Sequence, residues 1–323
     1  MRRVRYYAHG GPEVLTVEEA AVPEPGPEQV LIETEAVGLN YVDVQLRRET
    51  DSGSIFYRQV PAGLTGDVVG TVTRVGQRAD PALVGTRVAA LLEEGCAEYV
   101  VADAAWLVPV PDGLDAGTAS VLPTMGAVAL GALRLGRVAD GDTVLVTAAA
   151  GGIGHLAIQL ARHVGARTVI AAAGSAAKAD FLKELGADAT VDYSQPDWAA
   201  QVREAAPGGV HVALDAVGGK TLLECVSLLA PFGRVVGYGA ANGDWGSVPL
   251  LQLVALKSLS AFSLLALRAA APDRARADTA ELAGLLESGQ LRAVTRTLPL
   301  ADIAGAHRAF QDRTVLGRLI VIP

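Results

Sequence analysis

Residues 143–154 read TVLVTAAAGGIG, and the helical pattern HLAIQLA follows at residues 155–161. This stretch decides the fold, because a strand-like run leads into a loop of alanine and glycine that opens a helix. The spacing is a variant of G-x-G-x-x-G in which Ala149 takes the first position. The small residues let the backbone N–H groups of Gly151, Gly152 and Ile153, and the helix N-terminus, approach a pyrophosphate closely. The stretch therefore predicts a dinucleotide-binding βαβ unit.

The sequence around this loop extends the unit. Between residues 142 and 238, short apolar runs alternate with segments of helical length, which predicts βαβ units and a parallel sheet in an α/β fold. The predicted strands are 143–146, 168–172, 189–192, 210–214 and 234–236, and the predicted helices are 152–164, 176–185 and 221–229, the last ending at Pro231.

The two ends of the chain have a different texture. Before residue 122, short β-like runs separated by turns predict a strand-rich region. The predicted strands there are 14–17, 29–36, 68–75, 87–92 and 97–101; after residue 264 we predict helices at 274–286 and 303–310 and a last strand at 318–322.

Composition limits the partners and the compartment. The chain has 323 residues, enough for about two domains. Its formal net charge of -8 gives no basic surface for phosphate backbones, so we expect no nucleic-acid partner. Two cysteines are too few for a disulfide framework, and no apolar segment of signal-peptide type follows the basic N-terminus, so we expect a reducing cytosol.

Two stretches without charged residues, 116–133 and 143–161, reach the length of a membrane span. Both are rich in glycine and alanine, and Pro123 interrupts the first. We therefore predict that both are buried α/β elements and that the protein has no membrane partner.

The end of the second predicted strand indicates which dinucleotide binds. An Asp or Glu about 20 residues beyond the loop would accept a hydrogen bond from the ribose 2′-OH of NAD and repel a 2′-phosphate. Here the chain continues from Ala173 through Gly174 and Ser175 to Lys178, with no acid. A hydroxyl, a helix start and a cation at this place predict NADPH as the cofactor.

Taken together, motifs along nearly the whole chain resemble the zinc-free quinone oxidoreductase (zeta-crystallin-like) branch of the medium-chain dehydrogenase/reductase superfamily. They are HGGPEVL (9–15), GLNYVD (38–43), GTRV (85–88), AEYV (97–100), the glycine loop, LGAD (185–188), LDAVGG (214–219) and GRLIVIP (317–323). The resemblance implies a GroES-like β-rich catalytic domain from residues 1–122 and 263–323. It also implies an inserted Rossmann domain with a doubly wound parallel sheet, residues 123–262, and a cleft at their junction.

The resemblance also implies site residues. Asn40 would lie near the nicotinamide amide and ribose, and Thr124 beside the nicotinamide. Ser175, Lys178 and Tyr193 would surround the adenosine 2′-phosphate, with Arg313 near the adenine-side phosphates. Gly239, Phe262 and Ser263 would line the nicotinamide half.

Zinc-dependent relatives place a Cys and a His-Glu pair in the catalytic domain. Here Asn40 lies at or near the place of the cysteine, and Gly66-Asp67 replaces His-Glu. The five histidines show no ligand spacing. We therefore predict that the protein holds no metal.

One departure bears on mechanism. Many family members carry a tyrosine five residues after the asparagine, where this chain has Gln45. An amide can donate a hydrogen bond to a carbonyl but is no general acid at neutral pH, which leaves solvent or Tyr41 as the proton source.

The sequence thus predicts a cytosolic, zinc-free, NADPH-dependent oxidoreductase that transfers hydride to a quinone or an α,β-unsaturated carbonyl (enone), with Asn40, Tyr41 and Gln45 at the reacting end. Two alternatives stay open, an enoyl-thioester reductase and a non-catalytic NADPH-binding protein. The resemblance also implies a homodimer, because homodimers that pair through the edge of the Rossmann sheet are common in the family.

Overall fold

The computed structural model describes all residues from Met1 to Pro323 and contains fifteen β-strands and ten α-helices. The strands are β1 (Arg2–Tyr6), β2 (Leu15–Glu19), β3 (Gln29–Gly38), β4 (Gly66–Val75), β5 (Arg87–Leu92), β6 (Tyr99–Asp103), β7 (Val108–Pro109), β8 (Thr143–Val146), β9 (Thr168–Ala173), β10 (Ala189–Asp192), β11 (Val210–Asp215), β12 (Leu229–Gly237), β13 (Ser258–Ala261), β14 (Thr295–Pro299) and β15 (Arg318–Ile322). The helices are α1 (Val42–Arg48), α2 (Ala116–Ala119), α3 (Ala127–Leu135), α4 (Gly154–His163), α5 (Ala179–Glu184), α6 (Trp198–Ala205), α7 (Gly219–Leu228), α8 (Leu264–Ala270), α9 (Pro272–Glu287) and α10 (Ile303–Gln311).

These elements form two compact units. The first consists of Met1–Thr124 together with Glu281–Pro323, and the second is Met125–Ala280. The sequence predicts that the chain re-enters the first domain at residue 263, whereas in the structure the second unit extends to Ala280. The physical reason is packing, since α8 lies against α3 and Arg134 of α3 forms an ion pair with the buried Asp278 of α9.

The second unit has a six-stranded parallel sheet in the order β10-β9-β8-β11-β12-β13. The first strand, β8, therefore lies in the middle, and the chain winds outward from it in both directions. Residues 144–146 are fully buried, as expected for a strand covered on both faces. The predicted α/β fold with a doubly wound parallel sheet is confirmed.

The first unit is built on a seven-stranded sheet with the path β14-β15-β3-β4-β5-β7, and β6 also pairs with β3. Separate from it, β1 and β2 form an antiparallel pair. The C-terminal strand β15 pairs antiparallel with β3 and parallel with β14, so the two ends of the sequence share one sheet. This is the strand-rich, discontinuous arrangement that the resemblance implied.

A buried ion pair links these two ends. Arg318 of β15 and Asp67 of β4 are 1% and 0% exposed, and the Arg318 guanidinium donates to Asp67 Oδ2. Gly38 of β3 lies against the guanidinium, where a Cβ atom would collide with it. The glycine is therefore required by the close approach of the arginine.

Several local predictions need correction. The predicted helix 176–185 starts as a 3-10 turn, Ala176–Lys178, before α5. The helix predicted to stop at Pro231 ends at Leu228, one residue before its predicted end, and Pro231 follows inside β12, next to Phe232 with φ +64°. A register shift between β11 and β12 accommodates this irregular backbone.

The uncharged stretch at 116–133 forms a continuous helical segment. It joins α2 and α3 through a π-turn at Leu122–Gly126, which contains Pro123. Over Ala116–Leu135, 20 residues with a mean hydropathy of 1.4 have the length and composition to cross a membrane, but 78% of that window is buried inside the protein. Such burial is typical of a core helix.

Candidate functional site

The glycine loop joins β8 to α4 at the centre of the second unit. Ala148 adopts a left-handed backbone with φ +45°, and the N–H of Ala149 donates to the carbonyl of Ala172 in β9 at 3.0 Å. A Cβ atom at Gly154 would lie 2.6 Å from Ala149 Cα, so only glycine allows α4 to start this close to the loop. At the start of α4 the N–H groups of His155, Leu156 and Ala157 donate to carbonyls of the preceding turn, and that of Gly151 donates to Ala148. The N–H groups of Gly152, Ile153 and Gly154 donate to no backbone carbonyl, and free N–H groups at a helix N-terminus are the arrangement that binds a pyrophosphate.

Two polar side chains lie where the sheet changes winding direction, at the carboxyl ends of β8 and β11. Thr147 Oγ1 donates to Asp215 Oδ1 at 2.8 Å and accepts from the N–H of Ala216 at 3.1 Å. Asp215 also accepts from the N–H of Gly218 at 2.9 Å. Burial raises the pKa of Asp215, and these hydrogen bonds oppose the rise. This pair braces both loops at the crevice where ligands of doubly wound sheets bind.

Sequence reasoning missed this pair. Asp215 lies inside the LDAVGG motif, but no local period shows that its carboxylate meets a hydroxyl 68 residues earlier in the chain. The signal that could have found it is the position of both residues directly after adjacent parallel strands.

The predicted adenosine end is assembled around the carboxyl ends of β9 and β10. Ser175 Oγ accepts from the N–H of Ala177 at 3.3 Å and so caps the turn that follows. The ring of Tyr193 lies against Gly174, where an added Cβ would be 3.4 Å from Tyr193 Cε2. Lys178 ends the same turn. The structure thus brings Gly174, Ser175, Lys178 and Tyr193 into one neighbourhood.

An acid that the sequence analysis did not consider lies in this neighbourhood. Asp192, at the end of β10, accepts from the N–H of Ala176 at 3.0 Å and from Ser194 Oγ at 2.7 Å. Partial burial raises the pKa of Asp192, but hydrogen bonds from Ser194, Gln195 and Ala176 outweigh it, and the net shift is downward. Asp192 and Ser175 both line a surface cavity of about 240 Å³.

The other predicted site residues of the second unit are Gly239, Phe262 and Ser263, and each has a defined contact. Phe262 packs its ring onto Gly131 of α3, and its N–H donates to the carbonyl of Gly237. Ser263 caps α8 by accepting from the N–H of Ala266 at 3.2 Å. Gly239 lies close to the carbonyl of Ala216. Gly239 and Phe262 therefore lie beside the β11 and β12 loops.

Asn40 of the first unit belongs to a buried hydrogen-bond chain. Asn40 Nδ2 donates to Thr65 Oγ1 at 3.2 Å, and Thr65 Oγ1 donates to Asp43 Oδ2 at 2.7 Å. The N–H of Thr65 donates to Asp43 Oδ1 at 2.9 Å. Asn40 Oδ1 is buried and has no partner in the chain. Burial raises the pKa of Asp43 to about 7, against the opposing hydrogen bonds from Thr65 and the charge of Arg58.

Thr124 belongs to a second buried group. Its Oγ1 donates to Asp67 Oδ1 at 2.5 Å, and Asp67 is the partner of Arg318. Asp67 is the residue that stands in the place of the His-Glu pair of zinc-dependent relatives. Its carboxylate is therefore engaged by a cation and a hydroxyl.

Tyr41 and Arg313, nominated for different roles, are in contact. The guanidinium carbon of Arg313 lies 4.8 Å from the centroid of the Tyr41 ring, and Phe310 meets that ring edge-on at 6.2 Å. A tyrosine stacked in this way is held by packing. Gln45 lies on α1, half-buried, four residues after Tyr41.

The fold and the loop define a two-unit dehydrogenase or reductase with a nicotinamide-dinucleotide site. Residues 26–112 match the family described as an alcohol dehydrogenase GroES-like domain, and residues 152–283 match that described as a zinc-binding dehydrogenase. A quinone oxidoreductase of Pseudomonas aeruginosa is 33% identical over 328 aligned residues, covering 100% of this chain and 99% of that protein.

Two further comparisons agree. A 2-haloacrylate reductase from a Burkholderia species is 31% identical, with 97% of this chain and 96% of that protein covered. The solved structure of a mycobacterial protein complexed with NADPH has a TM-score of 0.90 at 32% identity and is covered over 100% of both chains. The chain belongs to the medium-chain dehydrogenase/reductase superfamily, in its quinone oxidoreductase branch. The family predicted from the sequence is confirmed, and the protein is an oxidoreductase.

The raised pKa of Asp43 yields a prediction about stability. The folded-state pKa is about 7 and the ordinary value is 3.8. The folded protein therefore binds the extra proton between these values, and the stability that the neutral carboxyl contributes is present below pH 3.8 and lost as the pH rises through about 7. The substitution Asp43→Asn keeps the shape and removes this titration. As the pH rises from 4 to 8, the unfolding free energy of the variant should therefore increase by about 4 kcal/mol relative to that of the parent.

The measurement is urea unfolding of both proteins across this pH range. The quantity to compare is the difference in unfolding free energy between the two proteins, because other groups also titrate. Desolvation lowers the pKa of buried His307 from 6.5 to about 3, so its stabilising contribution is lost as the pH falls below 6.5, whereas that of Asp43 is lost as the pH rises. A difference that is independent of pH would show that Asp43 does not titrate in the folded state with a raised pKa.

Proposed function

We propose that the protein is a cytoplasmic, NADPH-dependent and zinc-independent oxidoreductase that transfers hydride from the nicotinamide to a quinone or a related conjugated carbonyl. The observation that carries this proposal is the glycine loop between β8 and α4, placed beside a strand, β9, that ends without an acid. The relatives named as quinone oxidoreductase and complexed with NADPH support it. Both cysteines are free and buried, in keeping with a reducing compartment.

Preference for NADPH rests on the residues beyond β9. Ser175 and Lys178 supply a hydroxyl and a cation for a 2′-phosphate. Asp192 acts against them by its charge, but its carboxylate is already taken up by Ala176 and Ser194. We therefore expect the lysine to decide the balance in favour of the phosphate.

Zinc independence rests on the chemistry of the side chains present. A zinc site takes three or four ligands from Cys, His and carboxylate groups. No group of three such residues converges in the structure, and the carboxylate of Asp67 is engaged by Arg318 and Thr124. The residues thus do not fit a catalytic zinc, although the matched family carries zinc in its description.

The chain's own groups would act mainly by positioning. The N-terminus of α4 would hold the pyrophosphate, and Asn40 Oδ1 would accept a hydrogen bond from the nicotinamide half. The bound nicotinamide would supply the hydride. Gln45 could donate a hydrogen bond to the acceptor oxygen where negative charge grows, but it cannot supply a proton, which would come from solvent.

A second candidate acceptor is an activated carbon–carbon double bond, as in an enone or an enoyl thioester. The likeness to a 2-haloacrylate reductase favours it. Such a reduction must also protonate the carbon next to the carbonyl, so it suffers more than quinone reduction when no acid is placed. Gln45 therefore favours the quinone.

We also propose a homodimer that pairs through β13, with no membrane or nucleic-acid partner. This strand is the outer strand of the second unit's sheet, and an uncovered edge is open to pairing. Exposed apolar side chains lie on β13 itself, on the segment before it in the sequence and on the neighbouring strand β12. They are Leu259 (39%) on β13, Leu250 (79%), Leu251 (78%) and Val254 (69%) before it, and Phe232 (72%) on β12. A second copy of the same edge would cover them.

The dimer proposal predicts that Leu259→Lys shifts the protein toward monomer, because it puts a charge into an apolar pairing edge. The matched control is Val84→Lys, at an apolar residue that is 51% exposed in the first unit. Sedimentation velocity measures both variants. A monomeric parent protein, or an unchanged dimer in Leu259→Lys, would contradict the proposal.

The cofactor proposal predicts that Lys178→Ala weakens NADPH binding roughly 10- to 150-fold, the worth of a charge-assisted hydrogen bond, and leaves NADH binding nearly unchanged. Lys183→Ala removes an equal charge from an exposed position on α5 and should affect neither cofactor. Fluorescence titration gives the dissociation constants. Equal affinities of the parent for NADPH and NADH would refute the choice of cofactor.

The acceptor proposal predicts that Gln45→Tyr raises kcat/KM for an enone more than for a quinone, since general acid catalysis is typically worth about 10² to 10⁴ in rate. Gln45→Phe is the control, because it adds a ring without an acidic proton. Steady-state NADPH oxidation provides both values. A parent that prefers the enone by more than about tenfold, with a ratio unchanged in Gln45→Tyr, would favour the enoyl reductase instead.

A further inference from the structure

We propose that Asp43 and Thr65 are positioning residues, which hold the Asn40 side-chain amide with its carbonyl oxygen directed to accept from the carboxamide N–H of the bound nicotinamide. The three residues form the hydrogen-bond chain described above, here called the Asn40 relay. This inference rests on the proposed NADPH-dependent function.

The direction of donation along the relay follows from counting protons. A threonine hydroxyl has one proton, and the Asp43 carboxylate, which is ionised above about pH 7, has none to give. The hydroxyl proton of Thr65 goes to Asp43 Oδ2 at 2.7 Å, and the second carboxylate oxygen takes the N–H of Thr65 at 2.9 Å. Thr65 Oγ1 can therefore only accept from Asn40, so Asn40 must present Nδ2 to it, at 3.2 Å.

The consequence for Asn40 is that its carbonyl oxygen points away from the relay. Asn40 is 6% exposed, and its Oδ1 is buried without any donor from the chain. A buried acceptor without a partner is unfavourable, and a donor on a ligand would relieve it. The nicotinamide carboxamide offers such an N–H, whereas the opposite amide orientation would set two NH₂ groups against each other.

All three relay residues are nearly fully enclosed, which gives the amide little freedom to rotate. Asp43 is 2% and Thr65 8% exposed. Cys96 approaches the backbone carbonyl of Thr65 with its Sγ at 3.9 Å and adds no competing acceptor for the threonine hydroxyl. Asp43 therefore acts on the ligand only through Thr65 and Asn40.

The substitution Asp43→Asn tests the direction of donation. The new side-chain amide would still accept the N–H of Thr65 but would give an N–H to Thr65 Oγ1, so the hydroxyl proton would turn to Asn40 and reverse its amide. At pH 8, where Asp43 of the parent is ionised, we expect the variant to bind NADPH about 5- to 100-fold more weakly. Adenosine 2′,5′-bisphosphate, which lacks the nicotinamide half, should bind as it does to the parent.

Three further proteins separate this role from general damage. Thr65→Ser keeps the hydroxyl and should bind NADPH as the parent does, whereas Thr65→Val should lose affinity. Asn40→Asp combined with Asp43→Asn keeps the total charge, reverses the relay and restores an acceptor at position 40. This double variant should recover NADPH affinity lost in Asp43→Asn.

A cofactor analogue identifies the ligand group. The reduced 3-acetylpyridine analogue of NADPH has no carboxamide N–H, so it should bind the parent more weakly than NADPH, and Asp43→Asn should abolish the difference. If Asp43→Asn binds NADPH like the parent, or the double variant is no tighter than Asp43→Asn, the inference is wrong. Failure of the parent itself to bind NADPH would instead refute the proposed function.

Discussion

The buried ion pair between Asp67 and Arg318 is the interaction on which the first unit depends. It joins residues 251 positions apart, with both side chains almost fully enclosed. Removing one partner of such a pair leaves an uncompensated buried charge, which typically costs about 3–5 kcal/mol. The pair fixes β15 against β3 and β4, requires glycine at position 38, and receives the hydroxyl proton of Thr124. The discontinuous sheet and the Thr124 hydroxyl of the first unit are therefore held by the same two charges.

Three buried carboxylates each accept a hydrogen bond from a threonine hydroxyl. Asp67 accepts the hydrogen bond donated by Thr124, Asp43 the one donated by Thr65, and Asp215 the one donated by Thr147. Each aspartate is enclosed, so each hydrogen bond is strong, and its direction is fixed while the carboxylate is ionised. Asp215 braces the loops of the second unit, while Asp43 fixes an amide in the first. The account of catalysis by positioning rests on this rigidity, since Gln45 supplies no proton.

The sequence predicted the parts of the fold that leave a local mark. The strands at 87–92, 143–146, 189–192 and 318–322 have the predicted bounds, because each is a short apolar or β-branched run with clear limits. The end of the second unit at Ala280 could not be predicted, since it lies inside α9 and the sequence of a helix does not say which unit each of its turns packs against. The hydrogen-bond partners of Asp43, Asp67 and Asp215 could not be predicted from the sequence either. They lie 22 to 251 residues away and are brought close only by strand pairing. Ser175, Lys178 and Tyr193 lie in one neighbourhood, but their place around a 2′-phosphate stays a prediction, and the acid Asp192 beside them was not considered.

The central claim is that nicotinamide and acceptor react by direct hydride transfer, held in place by the protein without a metal. The most direct measurement is a single-turnover oxidation of NADPH by a quinone, with deuterium at C4 of the nicotinamide, before and after exhaustive dialysis against a chelator. The account predicts a primary isotope effect and the same rate in both preparations. A rate that is lost on dialysis and restored by Zn²⁺, or one that is insensitive to deuterium in both isomers of the labelled cofactor, would contradict it.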